Sequence, residues 1–150
     1  VAIRNLKVIL EALATAAPKT RDTFALSEIV RAALWRQITE MVRDDDDIIH
    51  LITVDPHAEH LLRLSMGTDG TIAPTPEVYQ GLVQQVSELV QRATQTGHTP
   101  CILVSNDIRR PLQELLRLHL PDLSVIAMRE LDKRANLEIF GTVANLDNAA

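Results

Sequence analysis

Cysteine, aromatic side chains and long apolar runs are all scarce in this sequence. Its 150 residues include one cysteine, and aromatic residues make up 3% of the chain. A single cysteine excludes an intramolecular disulfide framework and suits a reducing compartment. No run of about eighteen apolar residues occurs, so we expect no part of this segment to cross a membrane. No secretory signal peptide is recognisable.

Positive charge is also in short supply. The chain carries 15 Lys and Arg against 20 Asp and Glu, which gives a formal net charge of −5. Its basic residues form no cluster larger than a pair such as Arg109-Arg110. Because phosphate backbones are bound by a basic face, we predict that nucleic acid is not a partner.

What the chain does have is the composition of a folded soluble protein. Hydrophobic residues make up 46% of it and charges of both signs are mixed along it. Its length allows one ordinary domain or two small ones with a buried core. Val1 opens directly into a helical pattern without a starting methionine, so we expect the sequence to be a piece of a longer protein.

The stretch from Pro100 to Glu130 has the clearest pattern. Cys101 to Val104 is an apolar run of strand length, and Ser105-Asn106-Asp107 resembles a helix start. Pro111 to His119 has leucines at helical spacing, and Leu123 to Met128 is again strand-like. The order predicts a β-α-β crossover with two parallel strands.

The first 43 residues predict two helices. Residues 3–17 place apolar side chains at spacings of three and four, and Pro18 ends that pattern. Residues 26–43 carry a second apolar stripe. We expect the two helices to form an antiparallel hairpin. The first stripe consists of Ile3, Leu6, Leu10, Leu13 and Ala17.

The four consecutive aspartates, Asp44 to Asp47, mark a boundary. Consecutive carboxylates do not converge on one ion as a D-x-D-x-D spacing does, so a solvated linker is favoured over a metal site. We predict a partial helical subdomain over 1–47 and an α/β subdomain over 48–150.

The second subdomain contains four predicted strands. Residues 48–54 form a strand, Asp55-Pro56 starts a short helix, and Thr75-Pro76 starts a long helix that Gly97 ends. Residues 137–143 are predicted as a final edge strand, antiparallel to the one before it. Residues 144–150 are predicted as a frayed tail. The fold class is therefore α/β or α+β: a helical hairpin followed by a small mixed four-stranded sheet with flanking helices.

No catalytic, cofactor-binding or metal-binding site is predicted. His57 and His60 are three residues apart on a helix, but two histidines make half a metal site and a solvent-facing surface is favoured. Ser105 lies where a hydrolase nucleophile would, yet the glycines of a G-x-S-x-G elbow are absent and capping is favoured. Cys101 is predicted to be a small buried hydrophobic residue. We therefore predict a protein that is not an enzyme.

Trp35 is the aromatic candidate for contact with a partner. Its neighbours on the predicted helix are polar, so it lies off the apolar stripe, and packing on the flank of the helix is favoured over a partner anchor. Arg31 and Arg36 lie on the same predicted helix surface.

Arg109 and Arg110 are the second candidate group. They fall at a helix start, where positive charge opposes the helix dipole, so another interaction should hold them there. Pairing with Asp107 or Glu114 is favoured over docking of an acidic partner.

Several motifs in order resemble one known family. The stretch CILVSNDIRRPLQELLRLHLPDLSVIAMREL resembles the C-terminal signature of the FHIPEP family, the export-gate family of type III secretion and flagellar systems. LKVILEALATAAPKTRD followed by LSEIVRAALWRQI, then ITVDPHAEHLL, and finally LEIFGTV are similar to further stretches of that family. The resemblance covers nearly the whole chain.

The resemblance implies a role in protein export. Family members are virulence or flagellar proteins of the bacterial inner membrane, with transmembrane helices in the N-terminal half and a cytoplasmic part that assembles as a nonameric ring. They receive chaperone-bound export substrates and contact the stalk protein of the associated ATPase. The resemblance implies that this chain lies on the cytoplasmic face of the membrane and needs no cofactor.

Interface residues follow from combining this role with the candidates above. We predict that Arg31, Trp35 and Arg36 in the helical part contribute to ring assembly or docking, and that Arg109 and Arg110 do so in the terminal part. The alternative is a small α/β enzyme or ligand-binding domain that uses the turn from Ser105 to Arg110, where a strand ends and a helix begins.

Overall fold

The computed structural model describes residues 5–148 and divides the chain into two units. The first unit comprises Val1–Met41 and Arg129–Arg134, and the second comprises Val42–Met128 and Ala135–Ala150. We predicted from the sequence that the subdomain boundary follows residue 47 and that all later residues belong to the terminal subdomain. Internal contacts divide the chain after Met41 instead, and a later segment joins the first unit. No helix in the described part is both long and apolar enough to span a bilayer.

The first unit is helical, as predicted, but contains one more helix break. Its elements are α1 (Leu6–Ala16), α2 (Thr23–Ala33), α3 (Trp35–Val42) and a short 3-10 helix, Met128–Glu130. Val42 at the end of α3 and Met128 at the start of the 3-10 helix belong to the second unit. The single helix predicted over 26–43 is therefore wrong. It is interrupted at Leu34, whose φ of −91° and ψ of 19° leave the helical range.

The face that α1 uses for packing also differs from the prediction. α1 packs against α2, yet Leu6 and Leu10 of the predicted stripe are 49% and 55% exposed, and Ala16 is the buried residue. Ile3, the first member of that stripe, lies outside the described residues. The groove between α1 and α2 is lined by Val8, Glu11, Ala12, Thr15, Ala16, Ile29 and Ala33.

The second unit is a four-stranded sheet with helices. The strands are β1 (Ile48–Val54), β2 (Cys101–Val104), β3 (Ser124–Ala127) and β4 (Asn136–Val143). Their order in the sheet is β3-β2-β1-β4, and every neighbouring pair is parallel. The α/β class is confirmed, and so is the parallel pairing of β2 with β3 predicted from the central stretch.

The antiparallel placement of β4, and with it the mixed sheet, is wrong. β4 is an edge strand as predicted, but it pairs with β1, so β1 and β2 lie between it and β3. The connection from β3 therefore crosses the sheet instead of reversing beside the strand it leaves. Because β4 runs parallel to the other strands, this connection returns the chain to the end of the sheet at which β3 begins.

Local capping chemistry positions the helices of this unit. α4 (Pro56–Leu64) begins after Asp55, whose carboxylate accepts a hydrogen bond from the Ala58 N–H at 2.8 Å. α5 (Pro76–Gln95) begins after Thr75 in the same way. Both predicted starts are confirmed, with proline at the first helical position.

Gly97 ends α5 as predicted, and the geometry explains why glycine stands there. Its φ is +80°, a left-handed conformation that glycine adopts without strain. The Gly97 N–H donates to the Thr94 carbonyl at 3.0 Å, and the His98 N–H donates to the Ala93 carbonyl at 2.9 Å. These two bonds form a Schellman motif, which fixes the direction in which the chain leaves the helix.

The start of α6 (Arg109–Leu116) differs from the prediction. Its N-cap is Ile108, which makes no side-chain cap, so the helix begins after the predicted start at Ser105-Asn106-Asp107. The backbone bond from the Ile108 N–H to the Ser105 carbonyl, 3.3 Å long, closes a turn before the helix instead.

The core of the second unit joins strand and helix residues. Ile52, Leu62, Leu82, Ile102 and Leu112 are all fully buried in one cluster. The cluster also contains Leu146, which is 1% exposed in a 3-10 helix over Leu146–Asn148. The predicted frayed tail is therefore wrong up to residue 148, because a buried leucine fixes it; residues 149–150 lie outside the described part.

Candidate functional site

Arg31 forms an ion pair with Glu130 inside the helical unit. Its guanidinium donates to both carboxylate oxygens of Glu130, Nε to Oε1 at 2.7 Å and Nη2 to Oε2 at 3.1 Å. The Glu130 side chain is 0% exposed, whereas that of Arg31 is 35% exposed. Arg31 therefore neutralises a buried carboxylate, and reversing its charge would disturb the fold as well as any surface contact.

Trp35 and Arg36 form a pair of aromatic and cationic side chains in the helical unit. Trp35 is half-buried and Arg36 is exposed. The Arg36 guanidinium carbon lies 5.0 Å from the centroid of the Trp35 ring, which is cation–π distance. Of the three residues predicted on this helix, Arg36 is exposed, whereas Arg31 and Trp35 are both half-buried.

Arg109 lies inside the terminal unit rather than on its surface. It is 5% exposed, and its Nη1 donates to the Gln113 Oε1 at 2.8 Å and to the Val125 carbonyl at 3.3 Å. The surface position predicted for it is therefore wrong. Arg110 is half-buried, and the two arginines do not present one joint basic surface.

Pairing of these arginines with Asp107 or Glu114 was the favoured alternative. Asp107 accepts two hydrogen bonds from Arg63 of α4, Nε to Oδ2 at 2.6 Å and Nη2 to Oδ1 at 3.1 Å, and its pairing with the arginines stays a prediction. Glu114 pairs with Arg117 at 3.3 Å. The hydrogen bonds from Arg63 are the main reason that the pKa of Asp107 lies below its ordinary value.

The turn after β2 contains a carboxylate where an anion would bind. Ser105 donates from its backbone N to Glu59 Oε1 at 3.1 Å and from its Oγ to Glu59 Oε2 at 2.6 Å. Glu59 is 7% exposed. A carboxylate that already accepts both donors would repel a phosphate, so the geometry does not favour the ligand-binding alternative at this turn.

The two histidines of α4 do not converge. His57 Nε2 lies 3.2 Å from Asp147 Oδ2 on the surface, and His60 is exposed. Neither belongs to a group of potential metal ligands among residues 5–148. Cys101 is 2% exposed, as predicted, and burial raises the pKa of its thiol to about 12.

A different cluster was not foreseen from the sequence. Asp44, His50 and His98 each offer one ligand atom, and these atoms all lie within 4.8 Å of one another. A hydrogen bond from the Ile48 N–H is the main cause that lowers the pKa of Asp44, and His50 contributes further. Asp44 belongs to the aspartate run, whose other members are exposed as a solvated linker would be.

The pairing of β1 with β2 brings this cluster together. Leu51 is in register with Cys101 and the two strands are parallel, so the segments that lead into them meet at the same end of the sheet. Asp44 precedes β1, His50 lies within it, and His98 precedes β2. Sequence spacing alone carries no sign of this, but a predicted parallel β1–β2 pair could have pointed to it.

Comparison with known proteins agrees with the resemblance noted from the motifs. The FHIPEP family profile matches residues 1–136. Flagellar biosynthesis protein FlhA of Proteus mirabilis is 32% identical over 148 residues, which are 99% of this chain and 21% of that protein. The chain thus spans about a fifth of the length of the curated relatives it matches.

Solved structures share the fold. The Shigella flexneri MxiA protein matches with a TM-score of 0.86 and 29% identity, covering 95% of this chain and 45% of that one. The nonameric EscV cytosolic domain from the type III secretion system matches with a TM-score of 0.75 and 26% identity, covering 97% of this chain and 44% of that one. Because the profile, the sequence relatives and the fold all agree, this chain belongs to the FHIPEP family of type III secretion and flagellar export proteins.

Proposed function

We propose that this chain is part of the cytoplasmic domain of an inner-membrane export-gate protein and acts as a platform for ring assembly and docking. The observation that carries the proposal is the match of the family profile over residues 1–136. The structural similarity to a cytosolic domain that was solved as a nonamer supports it further. The partners we propose are further copies of the full-length protein, chaperone-bound export substrates and the stalk protein of the export ATPase.

Apolar exposure on the helical unit supports a role in assembly. Leu6 and Leu10 are one helical turn apart on α1 and about half exposed, and Phe24 is 57% exposed on α2. Large apolar side chains exposed together are typical of surfaces that another protein covers. Trp35 and Arg36 belong to residue types that are enriched where interfaces gain most of their binding energy.

The terminal unit has its own exposed apolar side chains. Leu64 at the end of α4 is 69% exposed, and Leu118, just after α6, is 86% exposed. With Arg110, these residues are the candidates that we propose for docking of a partner. Arg109 is not among them, because its guanidinium is buried.

The test is a secretion assay with the full-length gene in its source bacterium. Trp35→Ala and Arg36→Glu should reduce export and ring formation, because they remove an accessible aromatic anchor and reverse an exposed charge. Ring formation is measured by native mass spectrometry or electron microscopy of the purified cytoplasmic domain. Arg21→Glu, a charge reversal at an exposed residue of the same unit, is the matched control.

Two outcomes would count against the proposal. Normal export after deletion of this segment, with the membrane portion still inserted, would mean that the segment has no role in the gate. Normal export and ring formation in both the Trp35 and Arg36 variants would remove the helical unit from the proposed interface. Thermal unfolding of each variant separates a lost contact from a lost fold.

A further inference from the structure

We propose that Asp44, His50 and His98 form a binding site for a divalent transition-metal ion of the Zn²⁺ type. This site lies outside the export role proposed above and involves none of the residues assigned to it. Two imidazoles and one carboxylate are the donor set of many zinc sites, which take three protein ligands and leave one position for water. Imidazole nitrogen also selects such ions over Mg²⁺ and Ca²⁺, which prefer oxygen ligands.

The distances between the three ligand atoms fit one ion after small side-chain shifts. His50 Nε2 lies 2.7 Å from Asp44 Oδ2, and His98 Nδ1 lies 3.7 Å from the same oxygen. Ligands about 2.0–2.2 Å from a tetrahedral zinc ion are roughly 3.3–3.6 Å apart. The first distance lies below that value and the second just above it, and the two imidazole nitrogens lie within 4.8 Å of each other. Binding of one ion therefore requires rotation of the carboxylate and the imidazoles.

The two carboxylate oxygens of Asp44 have different partners: the backbone binds one, and the other faces the histidines. Its Oδ1 accepts hydrogen bonds from the Ile48 N–H at 2.8 Å and the Asp46 N–H at 3.0 Å. Its Oδ2 faces the two histidines. The backbone thus holds the carboxylate in an orientation that turns one oxygen toward both imidazoles.

The two histidines are positioned by regular structure. His50 lies within β1 and is 2% exposed, and the Schellman motif at the end of α5 fixes the backbone of His98. Their rings stack with centroids 3.9 Å apart and an interplanar angle of 29°. A site whose ligands already lie together loses little conformational entropy when an ion binds.

An ion can reach the cluster from one side. The side chains of His98 and Asp44 are 32% and 20% exposed. His98 also lines an open groove of about 540 Å³ together with Thr99, Pro100, His119, Pro121 and Asp122. The fourth coordination position would therefore be taken by water from the exposed side.

The surroundings of His50 set the expected affinity. Its Nδ1 is buried and has no hydrogen-bond partner among residues 5–148. A ligating histidine usually donates its second N–H to a carboxylate or a carbonyl, and loss of that contact weakens metal binding about 10- to 100-fold. We therefore expect Zn²⁺ to bind about 10- to 100-fold more weakly here than at a site whose histidines both have such a contact.

The test is Zn²⁺ titration of the 150-residue chain after treatment with EDTA. Isothermal titration calorimetry should give one ion per chain, and the melting temperature should rise with Zn²⁺ but not with Mg²⁺. Co²⁺ should give the visible absorption of a tetrahedral site. His98→Asn and Asp44→Asn should each weaken Zn²⁺ binding at least tenfold.

The controls separate this site from adventitious binding and from unfolding. His60→Asn removes an exposed histidine elsewhere on the same unit and should leave the Zn²⁺ affinity unchanged. Asn at position 44 can still accept the Ile48 and Asp46 N–H bonds, so that variant should keep the circular dichroism of the unmodified chain. The proposal is overturned if the unmodified chain does not bind Zn²⁺, or if binding survives both cluster substitutions.

Discussion

Arg31 and Glu130 are 99 residues apart in sequence, and two hydrogen bonds of 2.7 and 3.1 Å join their side chains. The same glutamate accepts at its carbonyl from the Thr39 hydroxyl at 3.0 Å. The Thr39 oxygen in turn accepts from the Asp132 N–H at 3.1 Å. These bonds explain why the segment at 129–134 belongs to the helical unit although it follows β3 in the chain.

Breaking this pair should destabilise the chain. We expect Arg31→Ala to cost about 2–4 kcal/mol in the free energy of unfolding, because it removes two charge-assisted hydrogen bonds from a wholly buried carboxylate. Urea unfolding followed by circular dichroism measures the change. Arg21→Ala, at an exposed position, should change the free energy by less than about 0.5 kcal/mol.

A double substitution tests whether the cost comes from the unpaired charge. Arg31→Met combined with Glu130→Met should be clearly more stable than Arg31→Ala alone, because no buried carboxylate remains. Equal stability of the single and double variants would mean that the ion pair is not what holds the segment.

A side chain at position 141 should be destabilising, because it would displace Leu89. A Cβ at this position would lie 2.3 Å from Leu89 Cδ2 and 3.1 Å from Leu89 Cδ1, so the leucine would have to move. We expect Gly141→Ala to destabilise the chain by about 1–3 kcal/mol, as overpacking does. In a Leu89→Ala background the same change should cost much less, and a double-mutant cycle by urea unfolding measures the coupling. Additive effects would show that Leu89 is not the obstacle.

The Arg63–Asp107 pair should make stability depend on acid pH. Because the folded-state pKa of Asp107 is lowered, the unfolded chain binds more protons between the two pKa values, and stability rises with pH there. The contribution is present above the unfolded pKa of about 3.9 and is lost as the pH falls through the lower folded value. Its size should stay below about 1 kcal/mol, since both side chains are more than a third exposed.

Asp107→Asn is the variant that checks this pH dependence. Melting temperatures measured from pH 2 to pH 6 should fall less steeply in the variant than in the unmodified chain. Asp122→Asn, at an exposed aspartate, should leave the slope nearly unchanged. Identical slopes in all three proteins would show that the pair does not contribute.

Cys101 should resist thiol reagents while the chain is folded. It is 2% exposed and burial raises the pKa of its thiol to about 12, so the reactive thiolate is nearly absent at pH 8. We expect labelling by an aromatic disulfide reagent only after unfolding in guanidinium chloride. Rapid labelling of the native chain, followed by absorbance, would contradict its burial.

Most elements of the second unit could be predicted because their signals are local. Asp55 before Pro56 and Thr75 before Pro76 start helices through bonds that span three residues, and Gly97 ends one through its own backbone conformation. The interruption at Leu34 could not be predicted in this way. Neither glycine nor proline occurs between Thr23 and Val42, so no local signal marks the break.

The candidate site residues also divide into those with a local sequence signal and those set by distant segments. The sequence predicted Trp35 and Arg36 as interface residues; Trp35 is half-buried and Arg36 is exposed, and their role at an interface stays a prediction. The sequence analysis predicted Arg109 on the surface, which is wrong. Whether a guanidinium is buried depends on acceptors such as the Val125 carbonyl, and that carbonyl belongs to β3, a separate element from the helix that carries Arg109. The sequence analysis did not find the group of Asp44, His50 and His98, whose members come together only when β1 and β2 pair.

The sequence by itself determined the family, the α/β class and the limits of most helices and strands, since short-range capping, periodicity and ordered motifs encode them. The tertiary structure decided the parallel pairing of β4 with β1, the burial of Arg109 and of Glu130, and the meeting of Asp44 with two histidines. Each of these depends on which distant segment supplies the neighbouring strand, charge or acceptor. Long-range pairing is set by packing of the whole chain, and no local pattern carries it.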